Sequence, residues 1–121
     1  EASSFRAFVR GAVAARHEHA VLRSGVLRVA HAEGSVLVLE RSADPVGFEG
    51  EPLQLAPEAA RRLLVATNTG ESPARVQLRL DGVSSVARLE WEGATGTAML
   101  LGDGALEIDL PPVSGAIFQL R

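Results

Sequence analysis

Glu107 and Asp109 are the residues of this chain whose types and spacing come nearest to a catalytic pair. Carboxyls two positions apart on a strand share one face, because side chains alternate with period two. Retaining glycoside hydrolysis uses two carboxyls about 5 Å apart in a cleft whose environments separate their pKa values. Here the two acids alternate with Leu106, Ile108 and Leu110. That pattern describes a strand with one apolar face and one wet face, so the pair reads as solvated rather than catalytic.

Metal chemistry fares no better. His17 and His19 are two apart on a predicted helix, about 200° around its axis, and cannot converge on one ion. Ligands at i and i+4 would be needed. His31 stands alone, and Gly102-Asp103-Gly104 lacks the spaced carboxylates of a calcium loop. Neither a nucleophile elbow nor a phosphate-cradling glycine loop is found. The sequence therefore calls for no catalytic residue, no metal and no cofactor.

Three further residues are singled out by position. Arg16 and His19 project toward the apolar stripe of the helix, where a charge is costly unless it is paired or reaches water. The expectation is that Arg16 donates to backbone carbonyls at the helix–strand junction and sets the exit angle. Trp91 is the one tryptophan of a chain with no tyrosine and four phenylalanines. Sugar-binding modules stack pyranose rings on exposed aromatics, so such a role would rest on Trp91. Its shared face with Ala87 and Leu89 reads instead as core or edge packing.

Composition narrows the classes. The chain has 121 residues, 46% of them hydrophobic and 22% charged, with a net charge of −3. One domain with a modest core is expected. All basic charge is arginine and no basic run occurs, so nucleic-acid binding has no electrostatic support. Cysteine is absent, which excludes disulfides and thiolate metal sites and leaves the redox compartment open. No apolar run approaches the roughly 20 residues that cross a bilayer. The chain begins at Glu1 and its sole methionine is Met99, so it reads as a piece of a longer polypeptide.

The elements that must position these residues follow from periodicity. Residues 3 to about 22 read as an amphipathic helix, capped by Ser3 or Ser4, with Phe5, Phe8, Val9, Ala12 and Ala15 on one stripe. Gly25 follows, where a left-handed backbone is easily adopted. The period then changes to two. Strands are predicted over 26–32, 35–41, 63–68, 74–80, 83–91, 97–101, 105–110 and 115–121. Glu33-Gly34, Asp81-Gly82 and Gly102-Asp103-Gly104 supply turns. Short strands spaced by turn signals predict a mainly β fold, an antiparallel sandwich of about eight strands with Greek-key-like connections, behind one N-terminal helix. Residues 36–39 and 63–66 are apolar on both faces, which implies cover on both sides. Residues 42–62 interrupt the pattern. Pro and Gly mark 43–52 as loop, Pro57 opens a short helical turn, and Phe48, Leu53 and Leu55 pack the excursion.

The segment Arg16-His17-Glu18-His19-Ala20-Val21-Leu22-Arg23-Ser24-Gly25 resembles the end of the last barrel helix in α-amylase-type enzymes, glycoside hydrolase family 13. There a pattern like Arg-x-x-His-Pro-x-Leu-x-x-Gly precedes a C-terminal β-domain. Leu64-Val65-Ala66-Thr67-Asn68 is similar to the strand ending in asparagine of those domains. Leu106-Glu107-Ile108-Asp109-Leu110-Pro111-Pro112 followed by Ala116–Leu120 is similar to their closing strands. Ala20 stands where the family has proline, and 42–62 is an insertion.

The resemblance implies that residues 1–24 are the terminal barrel helix of a parent enzyme and 25–121 its C-terminal sandwich. Arg16, His19, Leu22, Gly25 and Asn68 would be structural or docking residues. The catalytic acids would lie upstream on a barrel that is the partner of this domain within the same polypeptide. The implied role is a non-catalytic cap of an enzyme acting on α-glucans. A carbohydrate-binding module using Trp91 is the alternative, and self-association through the helix stripe of Phe5, Phe8 and Val9 is a third expectation. Neither nucleic acid nor membrane is an expected partner.

Overall fold

A computed structural model describes residues 2–44, 54–56, 59–102 and 104–121, with side chains of the first helix described from Phe5 onward. Helix α1 (Ala2–Glu18) and the short α2 (Ala20–Ser24) precede eight strands. These are β1 (Val26–Glu33), β2 (Val36–Ser42), β3 (Arg62–Asn68), β4 (Ala74–Arg79), β5 (Val86–Arg88), β6 (Thr97–Gly102), β7 (Ala105–Leu110) and β8 (Ser114–Leu120). The protein is mainly β, as the period-two patterning predicts.

The strands form two antiparallel sheets, ordered β1-β2-β3-β8-β5 and β4-β7-β6. Two hairpins stay within a sheet, β1–β2 through Gly34 at φ 59° and β6–β7 through Gly102 and Gly104 at φ 125° and 81°. Asp103, the middle of that second turn, lies outside the described residues. Asp81-Gly82 does not close a hairpin. It carries the chain from β4 in one sheet toward β5 in the other. Gly82 has φ 75°, so the dipeptide marks a sharp turn, and the sequence cannot tell a turn within a sheet from one between sheets. The predicted strand over 83–91 shrinks to Val86–Arg88, beyond which Leu89 N–H still donates to Ile117 O at 2.8 Å.

The sandwich interior joins Val36, Val38, Leu64, Ala66, Phe118 and Leu120 of the larger sheet to Val76, Leu78, Leu106, Ile108 and Leu110 of the smaller. On β4 the alternation holds: Val76 and Leu78 are buried, while Arg75, Gln77 and Arg79 are exposed. A second apolar cluster lies on the outer face of the larger sheet, where Ala15 and Val21 meet Leu63, Ile117, Ala43 and Ala60. β3 is thus covered on both faces, with Leu64 inside the sandwich and Leu63 under the helices, both 0% exposed. β2 is fully covered on one face and partly on the other, where Leu39 is half-buried and Arg41 reaches α2. Val36 and Val38 are interior, but Leu37 is exposed.

The polar signals of 42–62 fall largely on residues 45–53 and 57–58, which lie outside the described residues along with Phe48, Leu53 and Pro57. Leu55 packs against the outer cluster, and Ala59 N–H donates to Ala56 O at 3.0 Å.

Candidate functional site: the helix corner and the faces beside it

α1 lies on the larger sheet because its apolar stripe meets a place prepared for it. Phe8 is buried, and an added Cβ on Gly115 of β8 would come within 2.3 Å of its ring. Only a glycine lets the ring sit this close to the strand. Phe5 tilts against Phe8 at 5.9 Å between ring centroids. Trp91 also stacks on Phe8, at 5.7 Å, and its indole N–H donates to Phe8 O at 3.3 Å. The half-buried tryptophan is therefore a clamp on the helix. Its N–H and the ring surface toward Phe8 are used within the chain, in keeping with the packing expected from its neighbours Ala87 and Leu89.

The helix does not run unbroken to residue 22. Ser3 and Ser4 already have helical backbone, so α1 starts before the expected caps, whose side chains lie outside the described residues. At the far end His19 leaves the helical region at φ −111° and ψ 107°, and α2 starts at Ala20. The break falls where a proline would force it, yet Ala20 is there. Tertiary packing supplies the cause: Val21 is 0% exposed in the outer cluster, with Leu22 packed against it. His19 is half-buried and contributes backbone, its N–H to Ala15 O at 2.8 Å and its C=O to Leu22 N–H at 3.0 Å.

Arg16 is not the donor at this corner. Arg23 donates to the carbonyls of Arg16, at 3.1 Å, and of His17. Arg41 on β2 donates to Val21 O at 3.2 Å. Arg16 is exposed. Burial, and secondarily the charge of Arg16, holds the Arg41 guanidinium below the ordinary arginine range. The two arginines thus repel rather than cooperate. Helical periodicity alone put Arg16 on the apolar stripe; it could not foresee a strand arginine arriving from 20 residues away. Gly25 is also not left-handed, having φ −73° and ψ 168°. It is required for space, since an added Cβ would lie 2.5 Å from Val21 O and 2.8 Å from Ser42 O.

Asn68 ends β3 fully buried. Its amide nitrogen donates to Ser72 O at 2.9 Å, Pro111 O at 3.2 Å and Leu110 O at 3.4 Å. Its amide oxygen accepts from Ser35 Oγ at 2.9 Å and Gly70 N–H at 3.0 Å. One side chain thus ties the β1–β2 turn, the loop after β3 and the end of β7. The opposite end of β3 has a second polar tie. Arg62 donates through Nε to the buried Glu40 and through a terminal nitrogen to Asp81 O at 2.6 Å. Neither Glu40 nor Arg62 is marked by its spacing in the sequence. They border a cleft of about 460 Å³ whose walls include Val26, Arg28, Leu78 and Leu80.

The acids weighed for catalysis sit on the outer face of the smaller sheet. Asp109 accepts from Arg75 at 2.7 Å and Glu107 from Gln77 at 3.1 Å, matching the cross-strand register. Arg75 also lies 3.7 Å from the half-buried Glu107, so both carboxylates are ion-paired within the sheet. Among the described residues no group of His, Asp and Glu is arranged to hold a metal, and no helix is long and apolar enough to cross a membrane.

Apolar side chains remain uncovered beside the helix. Leu27 and Val29 of β1 and Leu37 of β2 are 50%, 58% and 39% exposed, and Val9 and Val13 of α1 are 44% and 54% exposed. Register places Leu27 opposite Arg41 and Val29 opposite Leu39, on the outer face of the sheet that carries the helix.

Known structures share this architecture. A debranching enzyme from Nostoc punctiforme in its native form superposes with a TM-score of 0.59 at 23% identity, over 88% of this chain and 19% of that one. A second structure of the same enzyme gives 0.58 at 22% identity. An α-amylase from H. orenii gives 0.55 at 15% identity, over 88% of this chain and 18% of that one. The chain has the fold of one part of these enzymes. It spans about a fifth of their length. No family model and no curated protein matches at the level of sequence.

Proposed function

We propose that this chain is the non-catalytic C-terminal accessory domain of an α-amylase-type glycoside hydrolase acting on α-glucans. In this reading α1 is the final helix of the catalytic barrel, and the sandwich caps that barrel from outside. The observation that carries the proposal is the uncovered shelf of Leu27, Val29 and Leu37, lying on the same sheet face as α1. Its likeness in fold to a fifth of two such enzymes supports the assignment. A barrel neighbour of α1 laid on this shelf would remove apolar surface from water at about 25 cal/mol per Å². The domain's effect on catalysis is then indirect: it holds the last barrel helix in place. Trp91, already stacked on Phe8, serves this purpose rather than sugar stacking.

The test substitutes Leu27, Val29 and Leu37 together by threonine, which keeps β propensity while reducing apolar area. In the parent polypeptide, one cooperative unfolding transition should split in two or fall by several degrees. In the 121-residue chain alone, the same variant should melt within about 2 °C of the unsubstituted chain, since surface changes are usually small. An unaltered single transition in the parent would refute docking through this face.

A further inference from the structure

At one end of the smaller sheet, the start of β4, the end of β7 and the start of β6 enclose a shallow cavity of about 610 Å³. It lies on the sheet that does not carry the helix. Its apolar wall is made by Pro73, Pro111 and Pro112, with Leu110 behind them in the sandwich interior. Its polar rim is a single cross-strand row, Arg75 opposite Asp109 and Asp109 opposite Thr97.

The rim and wall are set before any ligand arrives. Asn68 holds the carbonyls of Leu110 and Pro111 from behind. Ser114 Oγ donates to Pro111 O at 2.6 Å, and Arg88 donates to Gly96 O at 2.6 Å. Gly96, at φ 105°, lies so close to β7 that an added Cβ would meet Asp109 O and Leu110 Cδ2 at 2.9 Å. Val113, with φ 46°, closes the turn in a conformation that β-branched residues rarely adopt. A site held this way loses little conformational freedom on binding.

The chemistry of the rim selects the ligand. Arg75 pairs with Asp109 at 2.7 Å and with Glu107 at 3.7 Å, so the row holds no spare cation for an anionic ligand. The carboxylate, guanidinium and Thr97 hydroxyl still have open acceptor and donor positions, with Arg75 and Asp109 side chains 68% and 45% exposed. The prolines face them with C–H surface. An apolar wall facing a row of paired donors and acceptors suits a neutral ring with one C–H face and an edge of hydroxyls.

We propose that this cavity is a secondary binding site for one or two pyranose rings of an α-glucan chain. The choice of glucan rests on the function proposed above; the choice of a neutral polyhydroxylated ring rests on the cavity alone. Lying on the sheet opposite the helix-bearing one, the site stays open when the shelf is covered.

Affinity electrophoresis of the 121-residue chain through gels containing soluble starch, with NMR titration by maltoheptaose, tests this directly. Retardation is expected, with amide shifts centred on Ala74, Thr97 and Asp109. Thr97→Val/Asp109→Ala should weaken binding at least fivefold without lowering Tm by more than a few degrees. Thr97→Trp, whose ring would cover the exposed rim, should abolish it. Trp91→Phe should leave it intact. No retardation of the unsubstituted chain, retardation unaffected by the cavity variants, or loss confined to the Trp91 variant would each overturn the proposal. Binding to cellohexaose or dextran but not to maltoheptaose would retain the cavity as a sugar site while refuting the α-glucan assignment. Failure of the shelf experiment in the parent, with starch retardation intact, would remove the docking through the shelf and leave this site standing.

Discussion

Gly11 of α1 lies directly against Trp91, and a methyl group at that glycine would fall 1.9 Å from two atoms of the indole. Eighty residues separate them in sequence, yet the helix can approach the sheet only because one has no side chain and the other is flat. The contact extends the Phe8–Trp91 stack along the helix and makes Trp91 a clamp between α1 and the sandwich.

Gly11→Ala should therefore destabilise the protein. Glycine to alanine inside a helix ordinarily stabilises by about 1 kcal/mol; here the clash should reverse the sign. In a Trp91→Ala background the same change should stabilise. Thermal unfolding of the four members of this double-mutant cycle measures the coupling, expected to exceed 1 kcal/mol. Additive effects would refute the contact.

Phe8→Ala removes a buried ring that has Gly115 beneath it and Trp91 beside it. A loss of about 3 kcal/mol is expected, on the order of 10 °C in Tm for a domain of this size. Urea unfolding should show a lower midpoint. Limited proteolysis should show α1 released before the sandwich opens.

Arg41→Ala and Arg16→Ala should behave oppositely. Removing Arg41 leaves Val21 O, at the buried corner, without its guanidinium donor and should cost about 1 kcal/mol. Removing Arg16 takes away a repelling charge and should be neutral or slightly stabilising. Melting temperatures of the two variants in low salt check the order. If Arg16→Ala were the more damaging, the corner would be held differently from the arrangement found here.

Asn68→Ala should be among the most damaging single changes. It strips a partner from Gly70 N–H and from the carbonyls of Ser72 and Leu110, while Pro111 O keeps Ser114, at about 1–3 kcal/mol for each group left buried and unsatisfied. A total loss of about 3 kcal/mol would show as a fall in Tm on the order of 10 °C. The amides of Gly70 and Val113 should exchange faster with solvent.

Glu90 provides the acid-side prediction. A two-pronged hydrogen bond from Arg88, at 2.7 and 2.8 Å, holds its carboxyl below the ordinary value of 4.5, with the charge of Arg88 adding to the shift and desolvation opposing it. A folded-state pKa below the unfolded one means the pair's contribution is complete above that ordinary value. It is lost as pH falls through the lower folded-state value. Since Glu90 is exposed, the effect on stability is small, and NMR titration is the sensitive readout. The Glu90 carboxyl should titrate below the usual range, and Arg88→Gln should return it there.

The β class, seven of the eight strands to within about a residue, and the burial of Val76, Leu78, Ile108 and Leu110 were legible in the sequence. Those features are local: alternation and turn residues act within a few positions of themselves, and a strand with one apolar face must turn that face inward. The double burial around Leu63 and Leu64 was legible for the same reason. What tertiary structure alone decided was which distant groups meet. Arg41 rather than Arg16 caps the corner, Asp81-Gly82 crosses between sheets, and Trp91 grips a helix 80 residues upstream. The helix breaks at His19 without a proline, and Asn68 and Arg62 tie the two ends of β3. Each depends on the separation of elements far apart in the chain. Hydrogen-bond reach and van der Waals contact are settled within tenths of an ångström, a scale that periodicity and composition do not carry.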